Sequence, residues 1–261
     1  MADDLGEDLA DLAEVLALRA GALVRDGRRR GLATIGTKST VTDMVTEYDR
    51  ASERLIVDGI LAARPDDTVI GEEGADHPGT SGVAWLVDPI DGTTNYLYGL
   101  PGYAVSIAAR DAGGLLAGVV HVPVPGEMFR AVRGRGATLD GQPISCSAKA
   151  DVATALVATG FSYDPELRVR QGRMLERVIG RVRDIRRFGA AAVDLCHVAC
   201  GRVDAYYEWG LSEWDLAAGE LIAREAGARV GDFAGGPARP GEVLAAPPQL
   251  YDALVTLFAA A

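Results

Sequence analysis

The chain is short of cysteine, of positive charge and of long apolar runs, and each shortage removes a class of protein. Its cysteines are Cys146, Cys196 and Cys200. An odd number without framework spacing and without a secretory leader points to a reducing compartment, so a cytoplasmic location is expected. Cys196 and Cys200 flank His197 on a predicted helix, but no second cluster completes a tetrahedral metal set, and they read as buried packing. Lysine and arginine total 26 against 37 aspartates and glutamates, a formal net charge of −11. That deficit argues against a nucleic-acid partner held by counterion release. The short basic clusters Arg28-Arg29-Arg30 and Arg181 to Arg187 read as solvated surface or partner contact. No run reaches the roughly 18 apolar residues of a membrane span, and the chain opens on an acidic Met1-Ala-Asp-Asp, so no membrane association is expected. The Gly-x-x-x-x-Gly-Lys, His-Glu-x-x-His and Gly-x-Ser-x-Gly patterns are also missing, which removes nucleotide-driven motors, zinc proteases and serine hydrolases.

What is present is patterned for a large core. A chain of 261 residues buries roughly 70 to 75% of its unfolded surface. Apolar residues recur at three to four residue steps from Leu5 to Val24, the period of one helical face, and a second helix is predicted from Thr42 or Asp43 to Ala63, ended by Pro65. Strands are predicted at Thr68 to Gly71, Ala84 to Val87, Tyr103 to Ala109, Leu115 to Val122 and Met128 to Val132, with Asp140-Gly141 as a hairpin turn. From Ala155 onward strands and helices alternate: strands at Ala155 to Thr159, Ile185 to Phe188, Val203 to Tyr207, Ala228 to Gly231 and Val243 to Ala245, and helices at Leu167 to Ile179, Ala191 to Ala199, Trp214 to Ala226 and from Pro248. A meander followed by alternation predicts two sheets packed with helical layers, in an α+β half of about 1–150 and an α/β half of about 151–261 within one unit.

The chemistry gathers in Trp85-Leu-Val-Asp88-Pro89-Ile90-Asp91-Gly92-Thr93-Thr94-Asn95. An apolar strand delivers Asp88 to its end, Pro89 is expected to stop the ladder, and Gly92 lets backbone N–H groups approach an anion. Glu72, Glu73, Glu208 and Asp215 also fall at predicted strand ends or helix starts. Four carboxylates in one site would need about two Mg²⁺ ions, and a phosphate would call for a third, which favours a metal-dependent phosphatase. Asp88 and Asp91 are separated by two residues rather than the one of Asp-x-Asp phosphatases that form an aspartyl-phosphate. Water is therefore the expected nucleophile.

Several motifs together resemble the inositol monophosphatase family of Mg²⁺-dependent, lithium-sensitive phosphatases. They are Ile70-Gly71-Glu72-Glu73, the Trp85 to Asn95 run, Trp214-Asp215-Leu216-Ala217-Ala218-Gly219, and the Lys38 to Asp43 and Val45 to Asp49 stretches, which resemble a mobile loop and the helix after it. The resemblance implies a five-layered αβαβα sandwich, a sugar-phosphatase-like fold of mixed α and β structure, and a homodimer. It implies that Glu72, Asp88 and the Ile90 carbonyl hold one Mg²⁺, that Asp88, Asp91 and Asp215 hold a second, and that Glu72 reaches a third. It further implies that Thr93, bonded to Asp49, and Glu72 prepare a metal-activated water, with Lys38 on the loop. Gly92 and Thr93 would hold the phosphate, while Asp91, Ala191, Glu208 and Asp215 would contact the rest of the substrate.

The substrate expected on this basis is a small phosphate ester, myo-inositol 1-phosphate or a close polyol phosphate. Histidinol phosphate, fructose 1,6-bisphosphate and 3′-phosphoadenosine 5′-phosphate are the alternatives, together with a regulatory binding protein using the same fold. Two departures from the resembled pattern stand out. Gly189-Ala190-Ala191-Ala192 lacks a hydroxyl after the glycine, and Glu213, just before Trp214, is expected to add an acid close to the site.

Overall fold

Two sheets whose strands are apolar on both faces need covering on both sides, and that requirement sets the architecture. The computed structural model describes residues 2–31, 35–37, 44–239 and 241–259. Lys38, Thr42 and Asp43 therefore lie outside the described residues. In chain order the elements begin α1 (Ala2–Arg30), β1 (Ile35–Thr37), β2 (Met44–Thr46), α2 (Glu47–Ala63), β3 (Thr68–Gly71), β4 (Ala84–Asp91), α3 (Thr93–Tyr98), β5 (Ala104–Asp111), β6 (Gly114–Val122), β7 (Glu127–Val132), β8 (Ala137–Leu139) and β9 (Gln142–Ile144). They continue β10 (Leu156–Thr159), α4 (Pro165–Ile179), β11 (Asp184–Arg186), α5 (Ala191–Ala199), β12 (Ala205–Trp209), α6 (Glu213–Glu225), β13 (Arg229–Gly231), β14 (Glu242–Ala246) and α7 (Pro248–Ala259).

Strands β3 to β9 form a seven-stranded sheet in sequential order, and a five-stranded sheet runs β11-β10-β12-β14-β13. Helices α1 and α2 cover the outer face of the larger sheet, where Leu9, Leu16 and Ile60 pack on Trp85, Val105 and Val119. Helices α5 and α6 fill the space between the sheets, with Leu195 and Ile222 among Leu86, Val120, Phe129 and Tyr206. On the far side α4 and α7 place Met174, Leu254 and Phe258 against Val157, Tyr207 and Leu244. The order helix, sheet, helix, sheet, helix is the expected αβαβα sandwich. Among the described residues, no helix is long and apolar enough to cross a membrane.

Most predicted elements stand where the sequence places them, α5 and the Asp140-Gly141 hairpin among them. Three differ. The second helix starts at Glu47 rather than near Asp43, because Thr46 caps it by accepting from the Tyr48 and Asp49 amides while the Asp49 carboxylate accepts from the Thr46 N–H at 2.8 Å. Val45, placed on that helix by its period, lies instead on β2, which pairs with β1. Pro89 does not stop β4: the strand continues to Asp91 through a bulge between Asp88 and Asp91, where the missing N–H is tolerated.

One buried acid ties the outer layer to the sheet. Asp67, 1% exposed, accepts from Arg64 Nε at 2.6 Å, Ser81 Oγ at 2.6 Å and the Trp85 indole N–H at 2.9 Å. Burial works to raise its pKa, but the three donors and the Arg64 charge outweigh it and hold the carboxyl below its usual range. A lowered native pKa gives stability that is present above the unfolded value and lost as pH falls through the folded one. Asp67→Ala is expected to cost about 2–4 kcal/mol in urea unfolding at pH 7, because the indole and guanidinium donors lose their acceptor, with a smaller difference from wild type at acid pH.

Candidate active site

Asp88 and Asp91 would face opposite sides of a regular strand; the bulge turns both toward one cavity. Asp88 helps to shape the bulge itself, since its Oδ1 accepts from the Ile90 N–H at 3.0 Å. Gly92 follows with φ 84°, and a Cβ there would stand 3.0 to 3.1 Å from Gly102 O, Gly189 O and Ala190 Cβ, so the turn into α3 needs glycine on both counts. Asn95 secures the far side of that turn by donating to Gly102 O at 2.5 Å and Phe188 O at 2.7 Å.

The cavity has a volume of about 590 Å³. Glu72, Asp88, Ile90, Asp91, Gly92, Thr93, Ala191, Glu208 and Asp215 all line it. Asp49 does not; it lies behind the wall, fully buried, and accepts a 3.3 Å bond from Thr93 Oγ1, which also donates to Ile90 O at 3.1 Å. Glu73 points its amide elsewhere, to Glu53. Glu213 turns away from the site to bind Arg110 at 2.6 Å on the protein surface, so the expectation of an extra acid beside the site is corrected. Glu208, read as the end of a strand, lies within β12, which runs on to Trp209, and accepts from the Tyr206 hydroxyl at 2.7 Å.

Backbone donors hold these acids in place. The Ala191 and Ala192 N–H groups at the start of α5 donate to Asp91 at 3.2 and 2.7 Å, and Asp215 Oδ2 accepts from the Ser212 N–H at 2.7 Å as part of a capping box on α6. Burial and the charges of Glu72, Asp91 and Asp215 raise the Asp88 pKa well above its ordinary value. Burial also pushes Asp91 up to about 7, against the two α5 amides, and Asp49 up to about 6. Among the described residues, no three His, Cys, Asp or Glu side chains already stand as a preformed metal cage. The set fits a metal by donor chemistry: hard carboxylate oxygens lining one cavity, with negative charge in excess, suit a hard divalent cation.

Residues 6–260 match the family model described as the inositol monophosphatase family. The chain belongs to that family. An inositol-1-monophosphatase of Mycobacterium leprae (strain TN) is 43% identical over 277 residues, which cover 97% of this chain and 94% of the relative. A protein of Pasteurella multocida (strain Pm70) named Nus factor SuhB is 42% identical, covering 93% of this chain and 92% of that one. The crystal structure of extragenic suppressor protein SuhB from Bartonella henselae superposes with a TM-score of 0.90 at 35% identity, covering 95% of this chain and 97% of that one. Membership supports a phosphatase acting on small phosphate esters, in an inositol monophosphatase family whose phosphatases are generally metal-dependent.

Two features of this inositol monophosphatase family member escaped sequence reasoning. Arg187, grouped there with a surface cluster, is the one basic side chain among the described residues lining the cavity. Asp194, on α5, is wholly buried, and neither carboxylate oxygen has a hydrogen-bond partner. An acid inside the otherwise apolar run Ala191-Ala-Val-Asp-Leu-Cys196 was the available signal. Burial, then the charges of Glu208 and Asp91, raise its pKa well above the ordinary value, while Arg187 opposes. A raised native carboxyl pKa is neutral to stability below the unfolded value and costs increasingly as pH rises above it. Asp194→Asn is therefore expected to raise the melting temperature at pH 7, by roughly 2–4 °C per kcal/mol gained, with the gain vanishing toward pH 4 in paired thermal melts.

Proposed function

We propose that this cytoplasmic protein hydrolyses a polyol phosphate monoester, myo-inositol 1-phosphate first, as a homodimer that uses two to three Mg²⁺ ions. The observation that carries this reading is the cavity itself: Glu72, Asp88, Asp91 and Asp215 gather beside the Gly92–Thr93 turn, with Glu208 in the same cavity. Glu72, Asp88, Asp91, Asp215 and the Ile90 carbonyl would hold the cations. When bound, such ions neutralise phosphoryl charge and lower the pKa of water.

The chain's own groups supply the rest. The Gly92 and Thr93 amides at the turn into α3 hold the phosphate, and Thr93, with Asp49 behind it, orients the attacking water and accepts its proton for relay to Asp49 or Glu72. The α5 amides fix Asp91 so that it need not reorganise during the reaction. Glu208, held by Tyr206, accepts hydrogen bonds from the hydroxyls of the polyol, and Ala191 offers a small wall in the same cavity. Burial pushes the Glu208 carboxyl up to about 7, with the Tyr206 bond and the Arg187 charge working against it.

Asp88→Asn should lower turnover by about 10³-fold or more at saturating Mg²⁺ with the fold intact by circular dichroism, and near wild-type turnover would refute the assignment. Stripping cations with EDTA should abolish phosphate release, and added Mg²⁺ should restore it. Glu208→Ala should raise KM for inositol 1-phosphate by about 10-fold or more and leave p-nitrophenyl phosphate nearly unchanged; equal losses on both would remove Glu208 from recognition. A charged carboxylate accepts more strongly than a neutral one, so KM for inositol 1-phosphate should fall as pH rises through the range in which Glu208 ionises, and this dependence should disappear in Glu208→Ala.

The name Nus factor SuhB carried by several relatives supports a second reading, a binding role on the same fold. A pull-down with cellular extract that is unchanged by Asp88→Asn would favour it, and the absence of any partner would remove it.

A further inference from the structure

Helix α2 turns one buried face toward the site, carrying Asp49, Ser52, Glu53 and Ile56 at helical spacing. Three of them reach three separate segments. Asp49 takes the Thr93 hydroxyl, and Ser52 Oγ donates to Pro89 O at 3.1 Å, inside the β4 bulge. Glu53 reaches the turn after β3, where Oε1 accepts from the Glu73 N–H at 2.8 Å and Oε2 from the Ala75 N–H at 3.2 Å. Glu53 is 2% exposed and does not line the cavity, and both its oxygens are engaged by amides, so it is not itself placed to bind a ligand.

Glu72 sits between two anchored peptide groups. Its own N–H donates to Val87 O at 3.1 Å, on the strand that carries Asp88. The peptide after it ends in the Glu73 N–H held by Glu53. Gly71 completes the lock: a Cβ there would stand 2.1 Å from Glu53 Oε1 and 2.8 Å from Cδ, so the carboxylate occupies the space a side chain would fill. A carboxylate that accepts from two amides through its two oxygens fixes the orientation of the turn as well as its position.

We propose that Glu53 is a positioning residue that locks the Glu72–Glu73 turn and thereby sets the affinity of the carboxylate site for its divalent cation. The inference rests on the reading of Glu72 as a metal ligand. Glutamine has the same shape but carries an NH₂ that cannot accept, so Glu53→Gln loses one amide bond and sets a donor against a donor. Gly71→Ala displaces the same carboxylate by a different route.

The test is isothermal calorimetry of Mg²⁺ and Mn²⁺ binding to the full chain, with Glu53→Gln, Gly71→Ala, Glu53→Asp and Glu72→Gln beside wild type. Thermal melts in EDTA identify any variant that does not fold. Glu53→Gln and Gly71→Ala are expected to weaken cation binding about 10–100-fold, while kcat at saturating Mg²⁺ stays within about threefold of wild type. Glu53→Asp, which keeps the charge but shortens the reach, should fall between, and it carries the test if the glutamine variant does not fold. Cation binding of wild-type strength in folded Glu53 and Gly71 variants, with binding lost in Glu72→Gln, overturns the inference alone. Wild-type binding in Glu72→Gln overturns the metal-site reading beneath it.

Discussion

Repulsion among carboxylates held in one cavity is the constraint that the rest of the structure answers. Two unit charges 4 Å apart cost about 4 kcal/mol in a protein-like medium, and Glu72, Asp88, Asp91 and Asp215 share a single pocket. The fold does not meet this by seating a basic side chain against each acid. It uses main-chain N–H groups instead: those of α5 for Asp91, that of Ser212 for Asp215, and that of Ile90 for Asp88. Such dipoles stabilise a carboxylate without cancelling its charge, so the pocket keeps the net negative potential that draws cations in.

The position of the pocket follows from the layering. The end of β4 belongs to the seven-stranded sheet, Asp91 is gripped by α5 between the sheets, and Glu208 arrives from the five-stranded sheet on the other side of α5. Glu72, just after β3, and Asp88 and Asp91 on β4 are neighbours, but Asp215 from α6 and Glu208 from β12 reach them only when the layers stack. Cation binding and layer packing are coupled for that reason, because a bound ion favours the stacked arrangement over any in which the layers separate.

Much of this was legible along the chain, and the part that was not has a common cause. Helical period and turn chemistry are local, so α5, the Asp140-Gly141 hairpin and the acidic run after Trp85 could be placed from neighbouring residues alone. Pro89 misled because its local rule is sound for a regular ladder, while a bulge is a property of two strands together. Glu53 went unrecognised because nothing near it in sequence marks its surroundings, and the apolar run around Asp194 marks its burial but not the charges that face it. Glu53 works through amides 20 and 22 residues away, and the charges that act on Asp194 come from β4 and β12. The Asp49 to Thr93 contact, 44 residues apart, was anticipated only through resemblance to a family.

The β4 bulge has a consequence for how this chain can change. A single extra residue on one strand is what aims two acids three positions apart into one space. Lengthening or shortening that stretch by one would swing one carboxylate through the sheet onto the packed outer layer, where Trp85 and Val87 leave no room for a charge. Substitution there can be graded, but insertion and deletion are all-or-none. The turn at Gly235-Gly236-Pro237, remote from the cavity, is under no such restriction.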